Sequence, residues 1–183
     1  MTHFHAVRFY DSSESVAAIV AAFLGAGFIT YEPALVIATP ARRAAIASAL
    51  GAISFSVESL ERSGNLLTLD AQHTLDAFLL NGVPDPVRFE TLASAAFDRL
   101  KQRDHGGIRV YDEMAHLLWR RGETDAALRM EMLWDRATRD HNCSLLCGHA
   151  AADFRSAAAP RALCAPHSHV LAADGVPHRN SLS

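Results

Sequence analysis

The sequence predicts an α/β fold: three layers, with a mostly parallel sheet of about five strands and helices on both of its faces. Short apolar or β-branched runs alternate along the whole chain with longer segments of helical periodicity. Parallel neighbours need crossover connections, which are usually helical. With 183 residues, half of them hydrophobic, the chain can bury one core without disulfide or metal staples. Residues 1–172 are expected to form a single domain and 173–183 a disordered tail.

The first strand is Ala6 to Tyr10, which stops at the helix-capping cluster Asp11-Ser12-Ser13. From Ser13 to Ala26 the positions Val16, Ile19, Val20, Phe23 and Leu24 share one helical face, and Gly25 and Gly27 are expected to end the helix. Leu35 to Thr39 is the second strand, and Pro40 suits the first turn of a helix reaching about Leu50. Asn65 to Leu69 is the third. Asp70 caps a helix through Leu80, followed by turn residues Asn81-Gly82 and Pro84-Asp85-Pro86. A helix from about Val87 to Arg103 precedes Gly106-Gly107 and the fourth strand, Ile108 to Tyr111. Met114 to Trp119 and Ala126 to Ala137 are helices separated by Gly122; Cys143 to Cys147 is the fifth strand, and a short helical segment is expected near Arg161 to Val170.

A net charge of -3 lacks the positive field that phosphate-backbone binding requires, so no direct nucleic-acid partner is expected. Three thiols, Cys143, Cys147 and Cys164, do not make a secreted disulfide framework, and no segment has the features of an export signal or a membrane span. A cytoplasmic protein with no membrane partner is expected.

Several blocks together resemble one family. HAVRFYDSSES, FLGAGFITYEPALVIATP, LLTLDAQHTLDAFLLNGVPD and RVYDEMAHLLWRRGETDAALRMEMLW, with the endings SLLCGH and LCAPHSHV, occur in order over nearly the whole chain. They are similar to the methanogen/methylotroph, DcmR-type sensory domain, MEDS. The resemblance implies a sensory module for small hydrocarbon-derived ligands, often set beside a DNA-binding or histidine-kinase output. No such output is expected after the α/β core, so a separate kinase or transcription regulator is the expected partner. The same blocks resemble a degenerate RecA-like ATPase core. A phosphate loop needs G-x-x-x-x-G-K-[ST], whereas YDSSESVA places Asp11 and Glu14 there without glycine or lysine. ATP hydrolysis is therefore not expected.

In open α/β sheets, ligands bind at the C-terminal ends of the strands, which makes Asp112 and Glu113 candidates. Their ordinary reading is a helix cap and a solvated acid; the other is Glu113 facing a ligand or pairing with a buried arginine. Tyr10, Asp11, Trp119, Arg129 and Glu131 complete the candidate ligand site, although charged residues of an amphipathic helix usually form its wet face and Trp119 and Trp134 usually form core. No catalytic residue and no cofactor is predicted. The alternative is zinc or haem on Cys147, His149, Cys164, His167 and His169. Strand alternation puts Cys143 and Cys147 on one face, and the set requires the final segment to fold back beside the fifth strand. A surface role is expected for His3 and His5. A cysteine hydrolase using Cys147 with His149 or His169 has no supporting motif. The class competing with a ligand sensor is a protein-interaction adaptor whose old pocket is filled by side chains.

Overall fold

The computed structural model describes residues 4–11, 13–100, 106–154, 163–171 and 177–179, with backbone only at 13–15 and 177. Its elements are β1 (Phe4–Tyr10), α1 (Ser13–Ile29), β2 (Ala34–Ala38), α2 (Pro40–Ala52), α3 (Val57–Arg62), β3 (Leu66–Asp70), α4 (Ala71–Phe78), β4 (Leu79–Leu80), β5 (Val83–Pro84), α5 (Pro86–Leu100), β6 (Ile108–Asp112), α6 (Met114–Arg120), α7 (Thr124–Asp140), β7 (Cys143–Ala150), a 3-10 turn (Ala151–Asp153), β8 (His169–Leu171) and β9 (Pro177–Arg179). The main sheet runs β3-β2-β6-β7-β1-β8-β9, parallel except for the antiparallel β8–β9 pair. It therefore has seven strands rather than five.

The two extra strands correct the reading of the last third. The segment expected to be helical up to Val170 becomes β8 from His169, because its backbone finds partners on β1: His169 aligns with Ala6 and Val170 with Val7. Ser168 N–H donates to the His5 carbonyl at 2.8 Å, and His5 N–H donates to Ser168 Oγ at 2.9 Å. The final segment thus folds back beside β1, not beside β7. Residues 161–162 of the expected helix lie outside the described residues, and β9 falls within the stretch expected as tail.

Strand alternation divides the core in two. Leu35, Ile37, Ile108, Val110, Cys143, Leu145 and Cys147 face α4, α5, α6 and α7. Ala6, Tyr10, Ala34, Val36, Tyr111 and Leu146 face α1 and α2. Several helix ends follow the sequence reading: Asp70 Oδ1 accepts the His73 N–H at 2.9 Å, and Thr39 Oγ1 accepts from Arg42 ahead of Pro40. Others do not. Helix α1 continues through both glycines to Ile29, because Gly27 makes room for a neighbour instead of breaking the helix. A Cβ there would lie 2.7 Å from Arg109 Cδ, whose guanidinium donates to Glu32 at 2.7 Å and to the Phe23 carbonyl at 3.1 Å. Helix α4 stops at Phe78, two residues before the expected end, since Leu79 and Leu80 pair with Pro84 and Val83 across Asn81-Gly82. Both turn residues have positive φ, 52° and 78°, as a tight hairpin of this type requires. Helix α3 was not anticipated. No helix among the described residues is long and apolar enough to cross a membrane.

Candidate functional site: a buried histidine, glutamate and cysteine centre

The inner stripe of α7 is Ala126, Ala127, Met130, Glu131, Trp134, Ala137 and Thr138. Glu131 is the one carboxylate in it and is completely buried, where an uncompensated charge costs several kcal/mol or more. Its partners come from three other parts of the chain. His5 lies on β1 on the same sheet face as Cys147 and His149 of β7, and His167 lies two residues before the start of β8. Glu131 Oε1 lies 3.0 Å from His149 Nε2. Glu131 Oε2 lies 3.3 Å from His167 Nε2, 3.4 Å from His5 Nε2, and accepts from Cys147 Sγ at 3.3 Å. His5 Nε2 is also 3.4 Å from Cys147 Sγ, and the His5 and His167 rings lie 4.0 Å apart.

The charges in this centre are set by competition between burial and neighbours. Burial opposes a charge on Glu131, but His167, His149 and His5 outweigh it and hold the carboxyl well below its usual range. For His5, burial is overtaken by Asp135 and Glu131, and its pKa is raised. Burial wins at His167, which is lowered. Burial, reinforced by Glu131 and Asp112, pushes the Cys147 thiol well up, the reverse of what an activated nucleophile needs. The imidazole that contacts that thiol, at 3.4 Å, belongs to His5. His169 instead stacks on Phe4 and contacts Ser168.

A second polar group occupies the C-terminal ends of β1, β2 and β6. Arg42 Nε donates to Glu113 Oε1 at 2.6 Å with Tyr111 OH at 3.3 Å, while Thr39 donates to Oε2 through its N–H at 3.0 Å and its hydroxyl at 3.2 Å. The guanidinium lies 4.6 Å over the Tyr10 ring. Glu113 thus pairs with a buried arginine, and neither acid is solvated: Asp112 is 1 % and Glu113 3 % exposed. Asp112 Oδ2 accepts the Met114 N–H, and burial, with Glu131 next, pushes its carboxyl well above the usual range.

Between the two groups stands His116, with its ring 6.3 Å from Tyr10 and 5.7 Å from His149. Despite Asp153 at 3.5 Å, burial together with His149, Arg120 and Arg42 drives its pKa down to about 3. Half-buried aromatics cover His149: Phe154 is 5.2 Å from Phe9, 5.0 Å from Trp119 and 5.9 Å from His149.

The seven candidate ligand residues therefore separate. Tyr10 and Glu113 meet through Arg42, Trp119 joins the aromatic cluster, Glu131 and Asp112 line the buried centre, and Asp11 and Arg129 are exposed. Glu131 is not on the wet face of its helix. Of the alternative metal set, Cys147, His149 and His167 meet at Glu131, His169 does not, and Cys164 is buried nearby. Sequence reasoning missed His5, placed at the surface although it is fully buried; His3 lies outside the described residues. Its alternation with Val7 on a strand that proves interior was the available signal.

The chain matches the model of the MEDS family, the MEthanogen/methylotroph, DcmR Sensory domain, over residues 4–167. It belongs to that family. The match covers most of the chain and takes in every element that builds the MEDS domain's buried centre, from His5 to His167. No curated protein matches the chain.

Proposed function

We propose that this MEDS domain is a non-catalytic sensory domain that binds a small, hydrocarbon-derived molecule and passes its state to a separate output protein, such as a kinase or transcription regulator, in the cytoplasm. The observation that carries the reading is the aromatic cluster at the C-terminal ends of β1 and β7. Phe9, Trp119 and Phe154 pack together at half-buried positions, and His149 and His116 lie against this cluster with Glu131 next. Small-molecule sites commonly combine an aromatic lining with a few polar groups that fix orientation. A molecule seated there would act on β1, β7, α6 and α7 together and so shift the population of a state that a partner can read. The RecA-like ancestry belongs to the same proposal. It is supported by an interior first strand leading into α1; the strand-to-helix junction, YDSSESVA, lacks the residues a triphosphate needs, so such a core would be degenerate.

Fluorescence titration of a Trp134→Phe variant, in which Trp119 is the sole indole, tests this with a panel of short alcohols, amines and haloalkanes. A saturable change that disappears in a Trp134→Phe/Phe154→Ala double variant supports the site. Silence across the panel favours the adaptor reading. That reading rests on a surface groove of about 490 Å³ lined by Pro86, Leu128, Arg129, Leu133, Arg136 and the exposed Met132, with exposed Val87 following Pro86 in the chain.

A further inference from the structure

His5, Glu131, Cys147 and His167 each place one ligand atom within 4.8 Å of the other three. We infer that these four side chains form a binding site for a divalent first-row metal ion, zinc foremost, with His149, Asp135 and the Leu163 carbonyl orienting the ligands. This site stands whether or not an organic molecule binds at the aromatic cluster.

Three observations converge on it. The first is spacing. The separations His5 Nε2–Cys147 Sγ, His5 Nε2–Glu131 Oε2, Cys147 Sγ–Glu131 Oε2 and His167 Nε2–Glu131 Oε2 are 3.4, 3.4, 3.3 and 3.3 Å. Bond lengths of about 2.0–2.1 Å to N or O and about 2.3 Å to S make the edges of a tetrahedral zinc site about 3.3–3.5 Å. The second is the outer layer of partners. A metal-bound histidine nearly always gives its other ring nitrogen to a carbonyl or carboxylate. Here His167 Nδ1 lies 2.6 Å from the Leu163 carbonyl and the second oxygen of Glu131 lies 3.0 Å from His149 Nε2, while His5 Nδ1 faces Asp135 Oδ1 at 3.8 Å, an ion-pair rather than a hydrogen-bond distance. Both Nε2 atoms are thereby left facing the centre.

The third is charge. A divalent cation with one carboxylate and one thiolate is neutral overall, which suits four side chains that are at most 1 % exposed. On binding, the Cys147 thiol and any imidazolium in the set release their protons to solvent, and four bonds to the metal replace the hydrogen bonds among the ligands. The donor set of two imidazoles, one carboxylate and one thiolate suits zinc better than magnesium or calcium, which prefer oxygen. With all four positions taken by protein the site is closed, so it fastens β1, α7, β7 and the segment before β8 rather than activating a water.

The test uses the full chain purified without chelator. Metal analysis should find about one equivalent of zinc per chain, and X-ray absorption at the zinc edge should show one sulfur at about 2.3 Å with three nitrogen or oxygen neighbours at about 2.0–2.1 Å. Cobalt(II) exchanged into the protein should show strong four-coordinate visible bands and a thiolate charge-transfer band. That band should be lost in Cys147→Ser and kept in Cys143→Ser. Folded wild-type protein that takes up neither ion at micromolar concentration, a metal shell without sulfur, or a charge-transfer band that follows Cys143 instead would overturn the proposal. The absorption measurement needs no variant, so a misfolded Cys147→Ser leaves the test intact.

Discussion

Glu113 and Glu131 show at the residue scale how a carboxylate survives inside this protein. Each is ringed by donors, most of them from distant parts of the chain. Glu113 uses both oxygens: Arg42 and Tyr111 on one, Thr39 twice on the other. Removing one member of such a buried pair strands the other charge, which typically costs about 3–5 kcal/mol. Glu113→Ala and Arg42→Ala are each expected to destabilise the domain by about that much in urea unfolding. Because the residues share one interaction, the double variant should fall short of the sum of the two by at least about 1 kcal/mol. An additive result would mean that the two side chains contribute independently. Asp112 and Glu113 were legible as functional candidates from their place after a strand, but Arg42, 71 residues away in sequence from Glu113, was not. Nothing local marks an arginine on an alanine-rich helix as a buried ion-pair partner.

Element boundaries depend on both local chemistry and long-range contacts. Thr39 caps α2 and also ties its start to Glu113 after β6. Thr39→Ala is therefore expected to cost about 1–2 kcal/mol, the upper part of the range for a lost cap. Thr39→Ser should recover most of it, as thermal melts of the three proteins would show; equal losses for alanine and serine would assign the effect to the methyl group. Asp70 and Pro40 were readable as helix starts because capping is a local matter. The ends of α1 and α4 were misjudged for non-local and local reasons respectively. Gly27 serves the Arg109 side chain, a contact made across the fold, whereas Leu79 and Leu80 were drawn out of the helix by the hairpin at Asn81-Gly82. His169–Leu171 lacked a distinct pattern of its own and becomes a strand only because β1 offers an unpaired edge.

For the molecule as a whole, His116 sets a pH dependence. It faces His149 from β7, Arg42 from α2, Tyr10 from β1, Arg120 on its own helix and Asp153 from the 3-10 turn. Its pKa of about 3 lies below the ordinary 6.5, so the folded state holds the ring neutral where the unfolded chain would protonate it. Above 6.5 both states are neutral. As the pH falls below 6.5 the unfolded state gains the proton first and stability declines, by about 1.4 kcal/mol per pH unit down to the folded pKa. Replacing the ring with a non-titrating one, His116→Phe, should flatten the stability profile between pH 7 and pH 5 by about 2 kcal/mol relative to the wild type. Parallel profiles for the two proteins would show that His116 does not titrate as its surroundings imply.

The sequence by itself determined the α/β class, the order of the first five main-sheet strands and of the helices between them other than α3, and several helix starts, because apolar periodicity and capping chemistry act over a few residues. Its ordered blocks were also sufficient for the family, which the match over residues 4–167 shows. Only the tertiary structure decided that His5, Glu131, Cys147, His149 and His167 form one centre. The parallel pairing of β1 with β7 and β8 brings residues from both ends of the chain side by side, while α7 turns Glu131 inward among them. Each of these five has a common surface or core reading in isolation; it is their convergence in a space closed to water that makes every charge need a partner.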